Sequence, residues 1–489
     1  MNTTRSLLVG SARTPSAVVS ALLRSSRLLC LALLLPFVAT AKLPAVTESK
    51  LGNGLTVLTR FDRSVPLCAV RFVSRAGSRY DPAGAEGTAS LLSDTLMLGA
   101  GTRSEADLDR ELERNGAVLD AVVGNKSLVV SGDVPTIGAG GLPALLELLA
   151  DVVTVPTFPA GPVERARERA LAGLRRVSDD RLSLAERAFA ATVFAAHPYG
   201  RPADGSLASV ASLTPAALKA FHASWVRPER SILGLAGDCD PKVVAGVLKK
   251  RFGAWVAPGA VPTEPALPPV AEVPPRLVLV DTGDATLNQA QLRIGAPLRR
   301  TYSDPEYLAY HVSAEVLGGD FSARLNDELR VKAGLTYGAK WLYQLDDSVS
   351  RAGYVWTFTG LRDAVRAVDL SFDTVDAYRK GAATEAELTR VKSRLAKAFP
   401  FRFETNGQVL AELLQLWLDN RPREVLETYP ERVAALDAAA LDAVDADVDL
   451  SRATVGVVGN TSARAELEAL AQRRGLAFSV LTLEELGLR

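Results

Sequence analysis

Short apolar runs and helical spacings alternate along this chain and predict a mixture of strands and helices. Leu55–Leu58 and Cys68–Val73 are rich in apolar and β-branched residues, which is typical of strands. Ser104 begins a helical pattern, with Asp107 three residues later as its capping-box partner and Gly116 just past the end. Because the helices are not spaced as regular strand–helix–strand crossovers, the pattern predicts an α+β fold rather than a doubly wound sheet.

The second half of the chain carries helix signals of the same kind. Asp304 followed by Pro305 predicts an N-cap and a first helical position, and Thr384 with Glu387 forms a second capping box. The stretch Leu413–Leu418 is strongly apolar, which favours burial in a core; a helix facing a partner is the alternative.

A proline-rich stretch divides the chain. Seven prolines lie between Ala257 and Pro275, and this number forbids a regular helix or a central strand. Such a segment is extended and semi-rigid, as a linker between domains should be. We therefore predict one domain over residues 43–256, a linker over 257–275 and a second domain over 276–489.

The two halves resemble each other at a constant separation. Three pairs of matching residues lie 222, 221 and 222 positions apart: Arg71 with Arg293, Glu164 with Glu385, and Gly237 with Gly459. Three separate signals at one separation indicate an internal duplication. The predicted fold is therefore a pair of homologous α+β domains.

The N-terminus has the pattern of a secretory signal peptide. Arg24 and Arg27 precede an apolar run, Leu28–Val38, which is followed by the small-residue site Ala39–Ala41. The run is too short to cross a bilayer as a stable helix, although a retained anchor at the membrane surface is the alternative. We predict that residues 1–41 are removed and that the mature protein is exported, to the periplasm in a bacterium with two membranes.

Charge and composition limit the classes of function. The chain has 56 basic and 56 acidic residues, so no excess charge argues for nucleic acid or an anionic membrane as a partner. Three histidines and three cysteines restrict the metal sites that can be built. After removal of the signal peptide Cys68 and Cys239 remain; an exported protein can pair them, and two buried free thiols are the alternative.

Several motifs, in order, resemble the M16 (pitrilysin/insulinase) family of metallopeptidases. They are Leu51–Leu55, His197–Gly200, Phe221–Gly237, Leu317–Arg330 and Gly334–Gly338. The resemblance covers essentially the whole mature chain. It implies two α+β domains, each a mainly antiparallel sheet packed with helices, which face each other across a chamber. Active members of the family cut short or unstructured peptides inside that chamber.

The zinc signature of that family, H-x-x-E-H on a helix of the first domain, is absent from this chain. In the signature, two histidines on one helical face bind zinc and the glutamate activates water. At the matching positions Ser90 and Asp94 replace the histidines, Ser93 replaces the glutamate, and Gly173 replaces a distal glutamate ligand. One carboxylate cannot replace three strong ligands, so we predict no metal and no catalytic residue in this chain.

The histidines offer no substitute for the missing ligands. His197, His222 and His311 are scattered without ligand spacing. His222, on an apolar helix, is more typical of a packed core, and His197 begins a predicted turn. An autonomous peptidase with a rearranged metal site is a further alternative, and it would need Asp94 to be joined by donors from elsewhere in the chain.

A second feature of the family is retained. In the family, an arginine and a tyrosine seven residues apart in the second domain reach toward the substrate, and Arg330 and Tyr337 have that spacing. Arg330 is predicted at the end of a helix that Gly334 terminates, and Tyr337 on the following strand. In heterodimeric members, one subunit carries H-x-x-E-H and the other lends the arginine–tyrosine pair. The resemblance therefore implies a zinc-bearing M16 partner.

Two hypotheses of function follow. The first is a non-catalytic subunit without a cofactor of its own, which pairs with a zinc-bearing M16 peptidase and contributes Arg330 and Tyr337 to peptide hydrolysis. The second is a stand-alone exported protein that binds peptides or acts as a scaffold. Neither involves nucleic acid, nor a membrane span once the signal peptide has been removed.

Overall fold

Two six-stranded sheets, one from each half of the chain, form the framework of the protein in a computed structural model. The structure describes residues 43–137, 140–347, 349–381 and 383–489, so the predicted signal peptide lies outside the described residues. Leu43–Arg489 form one compact unit. Within this described part, no helix has the length and apolar character needed to cross a bilayer.

The first sheet contains β1 to β6, which are Thr47–Lys50, Thr56–Phe61, Leu67–Ser74, Val118–Val123, Leu128–Pro135 and Ser231–Gly237. Their order across the sheet is β1-β2-β6-β3-β5-β4. All neighbours are antiparallel except β2 and β6, which are parallel. The strands predicted at Leu55–Leu58 and Cys68–Val73 correspond to β2 and β3.

The second sheet contains β7 to β12, which are Arg276–Asp281, Gln289–Pro297, Ala339–Tyr343, Ala352–Gly360, Thr454–Gly459 and Ala477–Leu481. Their order is β9-β10-β8-β11-β7-β12, and β7 is parallel to both of its neighbours. Five strands have the same spatial order in both sheets. Read from the opposite edge, the second sheet has the order β7-β11-β8-β10-β9, which corresponds strand by strand to β2-β6-β3-β5-β4 of the first sheet. The sixth strand differs: β1 precedes the others of its sheet in the chain, whereas β12 follows them.

The two sheets also share their register. Arg71 on β3 lies opposite Gly234 on β6, and Arg293 on β8 lies opposite Gly456 on β11. Equivalent strands thus pair through equivalent residues. The duplication predicted from the sequence is confirmed, and with it the α+β fold of two mainly antiparallel sheets packed with helices.

Helices fill the connections between the strands. In the first half, α1 to α8 are Thr88–Thr95, Glu105–Arg114, Gly141–Thr154, Ala160–Val177, Arg181–Phe194, Leu207–Ala211, Pro215–Trp225 and Pro241–Val247. In the second half, α9 to α17 are Tyr307–Gly318, Arg324–Asn326, Ala364–Gly381, Glu385–Ala398, Asn406–Leu418, Glu424–Glu427, Tyr429–Ala435, Ala438–Asp445 and Arg464–Arg474. Wider helical turns continue α8 at Leu248–Phe252 and α10 at Asp327–Lys332.

Capping side chains place two helix starts where the sequence predicts them. Ser104 and Asp107 form the capping box of α2, each bonding the backbone N–H of the other. Thr384 and Glu387 do the same for α12. These bonds satisfy N–H groups that the first turn of a helix leaves without partners.

The start predicted at Asp304–Pro305 is wrong. The helix there, α9, begins at Tyr307. The Asp304 carboxylate instead accepts a hydrogen bond from the backbone N–H of Thr301 and closes a turn that precedes the helix. An aspartate before a proline satisfies the rule for either structure, because Asp is as common in turns as at N-caps.

In each half, one helix packs on the sheet of the other half. Helix α5 of the first half lies on the second sheet, where the Phe189 ring packs over Gly456. A Cβ atom built on Gly456 would lie 4.0 Å from that ring. Helix α13 of the second half lies on the first sheet, where Leu410 packs against Gly234. The apolar stretch Leu413–Leu418, within α13, is thereby packed in a core, as predicted.

The proline-rich linker contains neither helix nor strand, as the sequence predicts, and is fastened to the first half. The buried guanidinium of Arg227 donates to the carbonyl oxygens of Pro258 at 2.6 Å and Gly259 at 2.9 Å. Farther along, His197 Nε2 lies 3.0 Å from the carbonyl oxygen of Pro268.

A linker carboxylate adds a third attachment. Glu264 accepts hydrogen bonds from the Tyr80 hydroxyl and the Arg79 guanidinium, and Arg230 lies 3.7 Å away. Burial alone would raise the pKa of Glu264, but these neighbours hold it below its ordinary value. The linker therefore behaves as a strap on the first half rather than as a free spacer.

The two cysteines of the described chain are bonded to each other. Cys68 on β3 and Cys239, just past β6, form a disulfide with their Cα atoms 5.1 Å apart, a distance typical of such bonds. Of the two alternatives that the sequence left open, the structure contains the pair. Both residues are buried in the core of the first half.

Candidate functional site

The positions that match the zinc motif lie on α1, and none of them has a strong ligand for zinc. Ser93 is buried, and its hydroxyl donates to the backbone oxygen of Ser90 at 2.7 Å. Asp94 is on the exposed side of the helix. Desolvation by the surrounding protein and the nearby Asp120 carboxylate raise the pKa of Asp94, whereas Arg169 lowers it.

Helix α1 is part of the core of the first half. Leu91 and Leu92 are almost completely buried in the core of the first half. At the start of the helix, the Asp81 carboxylate accepts hydrogen bonds from the backbone N–H groups of Gly87 at 2.8 Å and Ala89 at 2.9 Å. Helix α1 thus keeps its structural role without the side chains that would bind a metal.

The position that matches the distal glutamate of the zinc site also has no metal-binding side chain. Gly173 lies on α4, which packs against α1, and a Cβ atom added there would meet nothing within 4 Å. Within the described part of the chain, no group of three or more His, Cys, Asp or Glu side chains could hold a metal ion. These residues therefore do not fit the zinc that the active members of the family hold here.

The histidines serve the core instead. His222 is buried, and its Nε2 lies 3.0 Å from the carbonyl oxygen of Val153, so burial lowers its pKa to about 4. His311 lies between the hydroxyl groups of Tyr343 and Tyr429, and burial lowers its pKa as well. The third histidine binds the linker. The prediction of a core role for His222 is confirmed.

Arg330 and Tyr337 lie on consecutive segments of the second half. Arg330 is in the helical turns that continue α10, and Gly334, at φ +66°, follows the end of the helix as predicted. The strand prediction for Tyr337 is wrong, because β9 begins two residues later. The cause is a turn in which the Thr336 hydroxyl bonds both the oxygen and the N–H of Gly338, at 3.0 and 3.1 Å.

Both side chains are available to a ligand. The Tyr337 side chain is 82% exposed. The Arg330 guanidinium lies over the ring of Phe321, 4.7 Å from its centroid. Among the described residues, neither side chain forms a hydrogen bond or an ion pair, and no such contact joins them to the α1 positions. The chain thus contains two separate sets of predicted site residues, one in each half.

The segment that carries Tyr337 is firmly held although its side chain is exposed. The backbone N–H of Leu335 donates to the oxygen of Leu329 at 2.9 Å. The Thr359 hydroxyl donates to the oxygen of Leu335 at 2.7 Å, and the Thr357 hydroxyl to that of Gly338 at 3.0 Å. A fixed backbone under an exposed phenol is an arrangement suited to binding, since little order must be gained when a ligand arrives.

Sequence reasoning missed two residues that shape this surface, Phe321 and Asn326. Asn326 is 2% exposed, and its Nδ2 donates to the backbone oxygen of Phe321 at 2.6 Å. Its Oδ1 accepts from the backbone N–H of Ala339 at 3.4 Å, which ties the Arg330 helix to the strand after Tyr337. Only their place inside a family-like motif could have pointed to them, because the local pattern does not separate Asn326 from an ordinary polar helix residue.

Family models match both halves of the chain. Residues 56–205 match insulinase (peptidase family M16), and residues 212–395 match the peptidase M16 inactive domain. An uncharacterized zinc protease of Mycobacterium bovis is 28% identical over 375 residues, which are 76% of this chain and 83% of that protein.

Solved structures show the same fold. The peptidase M16 inactive domain from Pseudomonas fluorescens has a TM-score of 0.78 at 24% identity, over 85% of this chain and 98% of that one. The periplasmic protease PqqL from Escherichia coli has a TM-score of 0.71 at 18% identity, over 89% of this chain but 51% of PqqL. With its two M16-type domains, the chain belongs to the M16 (pitrilysin/insulinase) peptidase family and is a member without the H-x-x-E-H zinc motif.

Proposed function

We propose that this chain is the non-catalytic subunit of an exported peptidase complex. It lends Arg330 and Tyr337 to a site whose zinc is held by an M16 partner with an intact H-x-x-E-H motif. The observation that carries the proposal is a contrast between the two halves. The zinc positions on α1 carry no strong ligands, whereas Tyr337 is exposed and the half-buried Arg330 forms neither a hydrogen bond nor an ion pair among the described residues. Both lie on an anchored segment.

The chemistry of the pair fits peptide hydrolysis. A guanidinium presents several N–H donors in a plane and can bind the carbonyl oxygens of an extended peptide. A phenol can donate a hydrogen bond to the oxyanion that develops when water attacks a peptide carbonyl. Arg330 would therefore position the substrate, and Tyr337 would stabilise the tetrahedral intermediate formed at the zinc of the partner.

The match to PqqL accords with a partner of the same family, since the fold of this chain accounts for 51% of that protease. Export to the periplasm is proposed from the signal-like pattern of residues 1–41 and accords with the location given for PqqL.

Reconstitution tests the proposal. The mature chain is purified alone and together with an H-x-x-E-H-bearing M16 protein from the same organism, and cleavage of an unstructured peptide pool is followed with and without a zinc chelator. We expect no cleavage by the chain alone. The mixture should cleave the peptides faster than the partner alone, and the chelator should abolish this cleavage. Tyr337→Phe and Arg330→Ala should each lower kcat/KM of the mixture by about 100-fold without changing assembly.

A matched control separates the pair from general effects of charge. Arg63, in the first half, has a side chain that is 78% exposed and lies 3.5 Å from the Asp238 carboxylate, and Arg63→Ala should leave turnover unchanged. No gain on mixing would favour the stand-alone peptide-binding or scaffold protein. Cleavage by the chain alone, with stoichiometric bound zinc, would instead mean an autonomous peptidase with a rearranged site.

A further inference from the structure

Large apolar side chains are exposed on the segment that carries Arg330 and Tyr337. Phe321 is 72% exposed and Val331 is 67% exposed. Single exposed apolar residues are common on protein surfaces and need no explanation. Here two of them lie close in sequence to Tyr337, which is 82% exposed, and one of them contacts the guanidinium of Arg330.

The contact between Phe321 and Arg330 is a cation–π stack. The guanidinium carbon is 4.7 Å from the ring centroid, within the distance at which the negative face of an aromatic ring attracts a cation. Because Arg330 forms no hydrogen bond or ion pair among the described residues, the ring is the side chain that orients its guanidinium. Most of the ring remains exposed, so it has apolar surface to offer to a ligand.

The backbone beneath the ring is fixed. The backbone oxygen of Phe321 accepts from the buried Asn326 at 2.6 Å. The preceding Asp320 is held by Arg390 at 2.8 Å and Arg394 at 3.1 Å. The exposure of Phe321 is thus a property of an anchored segment and not of a loose loop.

We propose that Phe321 is a positioning and specificity-determining residue of the surface that Arg330 and Tyr337 form. It holds the Arg330 guanidinium in place and presents an apolar face that selects peptides with an aromatic or branched aliphatic side chain beside the scissile bond. Since side chains of an extended peptide alternate in direction, a carbonyl bound to Arg330 leaves a neighbouring side chain free to pack on the ring. This inference rests on the proposed function.

The test uses the reconstituted complex and a peptide that it cleaves. The apolar residues flanking the cleaved bond are replaced one at a time by glutamine, and kcat/KM is measured for each peptide of the set. The wild-type complex should prefer the apolar peptide by about tenfold. Phe321→Ala should abolish this preference, mainly by raising KM for the apolar peptide.

A conservative variant separates the two roles of the ring. Phe321→Leu keeps an apolar surface but removes the cation–π contact, so it should retain the preference while lowering kcat/KM for both peptides. Phe401 is 61% exposed in the same half of the chain and forms no ring contact with Arg330. Phe401→Ala is therefore the matched control, and it should behave as wild type.

Three outcomes would overturn the inference, and they are distinguishable. If Arg330→Ala and Tyr337→Phe remove activity while Phe321→Ala keeps the preference, Phe321 has no such role and the proposed function stands. If Phe321→Ala weakens assembly, measured by light scattering, but leaves the selectivity of the assembled complex unchanged, the ring is a subunit contact. If none of the three substitutions changes cleavage, the proposed function fails as well.

Discussion

Lys126 of the first half and Asp419 of the second half are joined by an ion pair of 2.8 Å. The same ammonium group lies 2.9 Å from Asp346 and 2.7 Å from Asp347. Burial would lower the pKa of Lys126, but the three carboxylates raise it above its ordinary value. One charged side chain at a hairpin between β4 and β5 thus fastens the first sheet to two loops of the second half.

Removal of this cation is expected to destabilise the protein strongly. Lys126→Met removes the cation that the three carboxylates share. Because Asp346 and Asp419 are almost fully buried, the free energy of unfolding should fall by about 3 kcal/mol. Urea denaturation at pH 7 measures the loss. Lys219 is exposed and has no ion pair among the described residues, so Lys219→Met should change stability by less than about 0.5 kcal/mol. Equal values for the two variants would contradict the structural role of Lys126.

The disulfide predicts a dependence on redox conditions. Cys68 and Cys239 are 171 residues apart in the chain, and a bond that closes so long a loop restricts the unfolded chain considerably. Cys68→Ala combined with Cys239→Ala should lower the free energy of unfolding by about 4 kcal/mol. Dithiothreitol should lower the stability of the wild type similarly and leave the double variant unaffected. An unchanged wild type under reducing conditions would show that the bond contributes nothing.

Much of the fold could be predicted because it depends on local patterns and on repetition. The match of Arg71 with Arg293 in the sequence predicted that the two sheets have the same strand register. The capping box of Ser104 and Asp107 predicted the start of α2. Where the local signal had two meanings, prediction failed. Asp304 closes a turn instead of capping a helix, and Tyr337 precedes its strand because Thr336 holds a turn before it.

Contacts between distant residues could not be predicted in this way. Two partners of Lys126 lie 221 and 293 residues away, and nothing in their neighbourhoods marks them as partners. The proline content of the linker predicted an extended segment but not its attachment through Arg227. For the same reason Phe321 was missed, since exposure and stacking on Arg330 are properties of the folded surface.

The buried His222 predicts a loss of stability in acid. Its pKa is about 4 in the folded protein and about 6.5 in the unfolded chain. Between these values the unfolded chain binds a proton that the folded protein does not, so stability falls as the pH decreases from about 6.5 to about 4. The contribution approaches 3 kcal/mol at the acid end of this window.

Replacing His222 by a side chain that does not titrate separates its contribution to the pH dependence of stability from the contributions of other groups. His222→Gln keeps a donor for the carbonyl oxygen of Val153 and should show a smaller decrease in unfolding free energy between pH 6.5 and pH 4. Urea denaturation of both proteins at half-unit pH steps gives the difference. Parallel curves for the two proteins would mean that His222 is protonated in the folded state or does not contribute.

Gly173, at the position of the missing zinc ligand, predicts a stabilising substitution. It lies inside α4, where an added Cβ atom would have no neighbour within 4 Å, and glycine costs a helix about 1 kcal/mol relative to alanine. Gly173→Ala should therefore raise unfolding free energy by about 0.5–1 kcal/mol and leave cleavage by the complex unchanged. Gly318, at the end of α9, is the contrast: its added Cβ would overlap the backbone nitrogen of Trp341, so Gly318→Ala should cost about 3 kcal/mol. If Gly173→Ala destabilises the protein or lowers cleavage, the space beside Gly173 is in use, and the position does more than occupy the place of a missing zinc ligand.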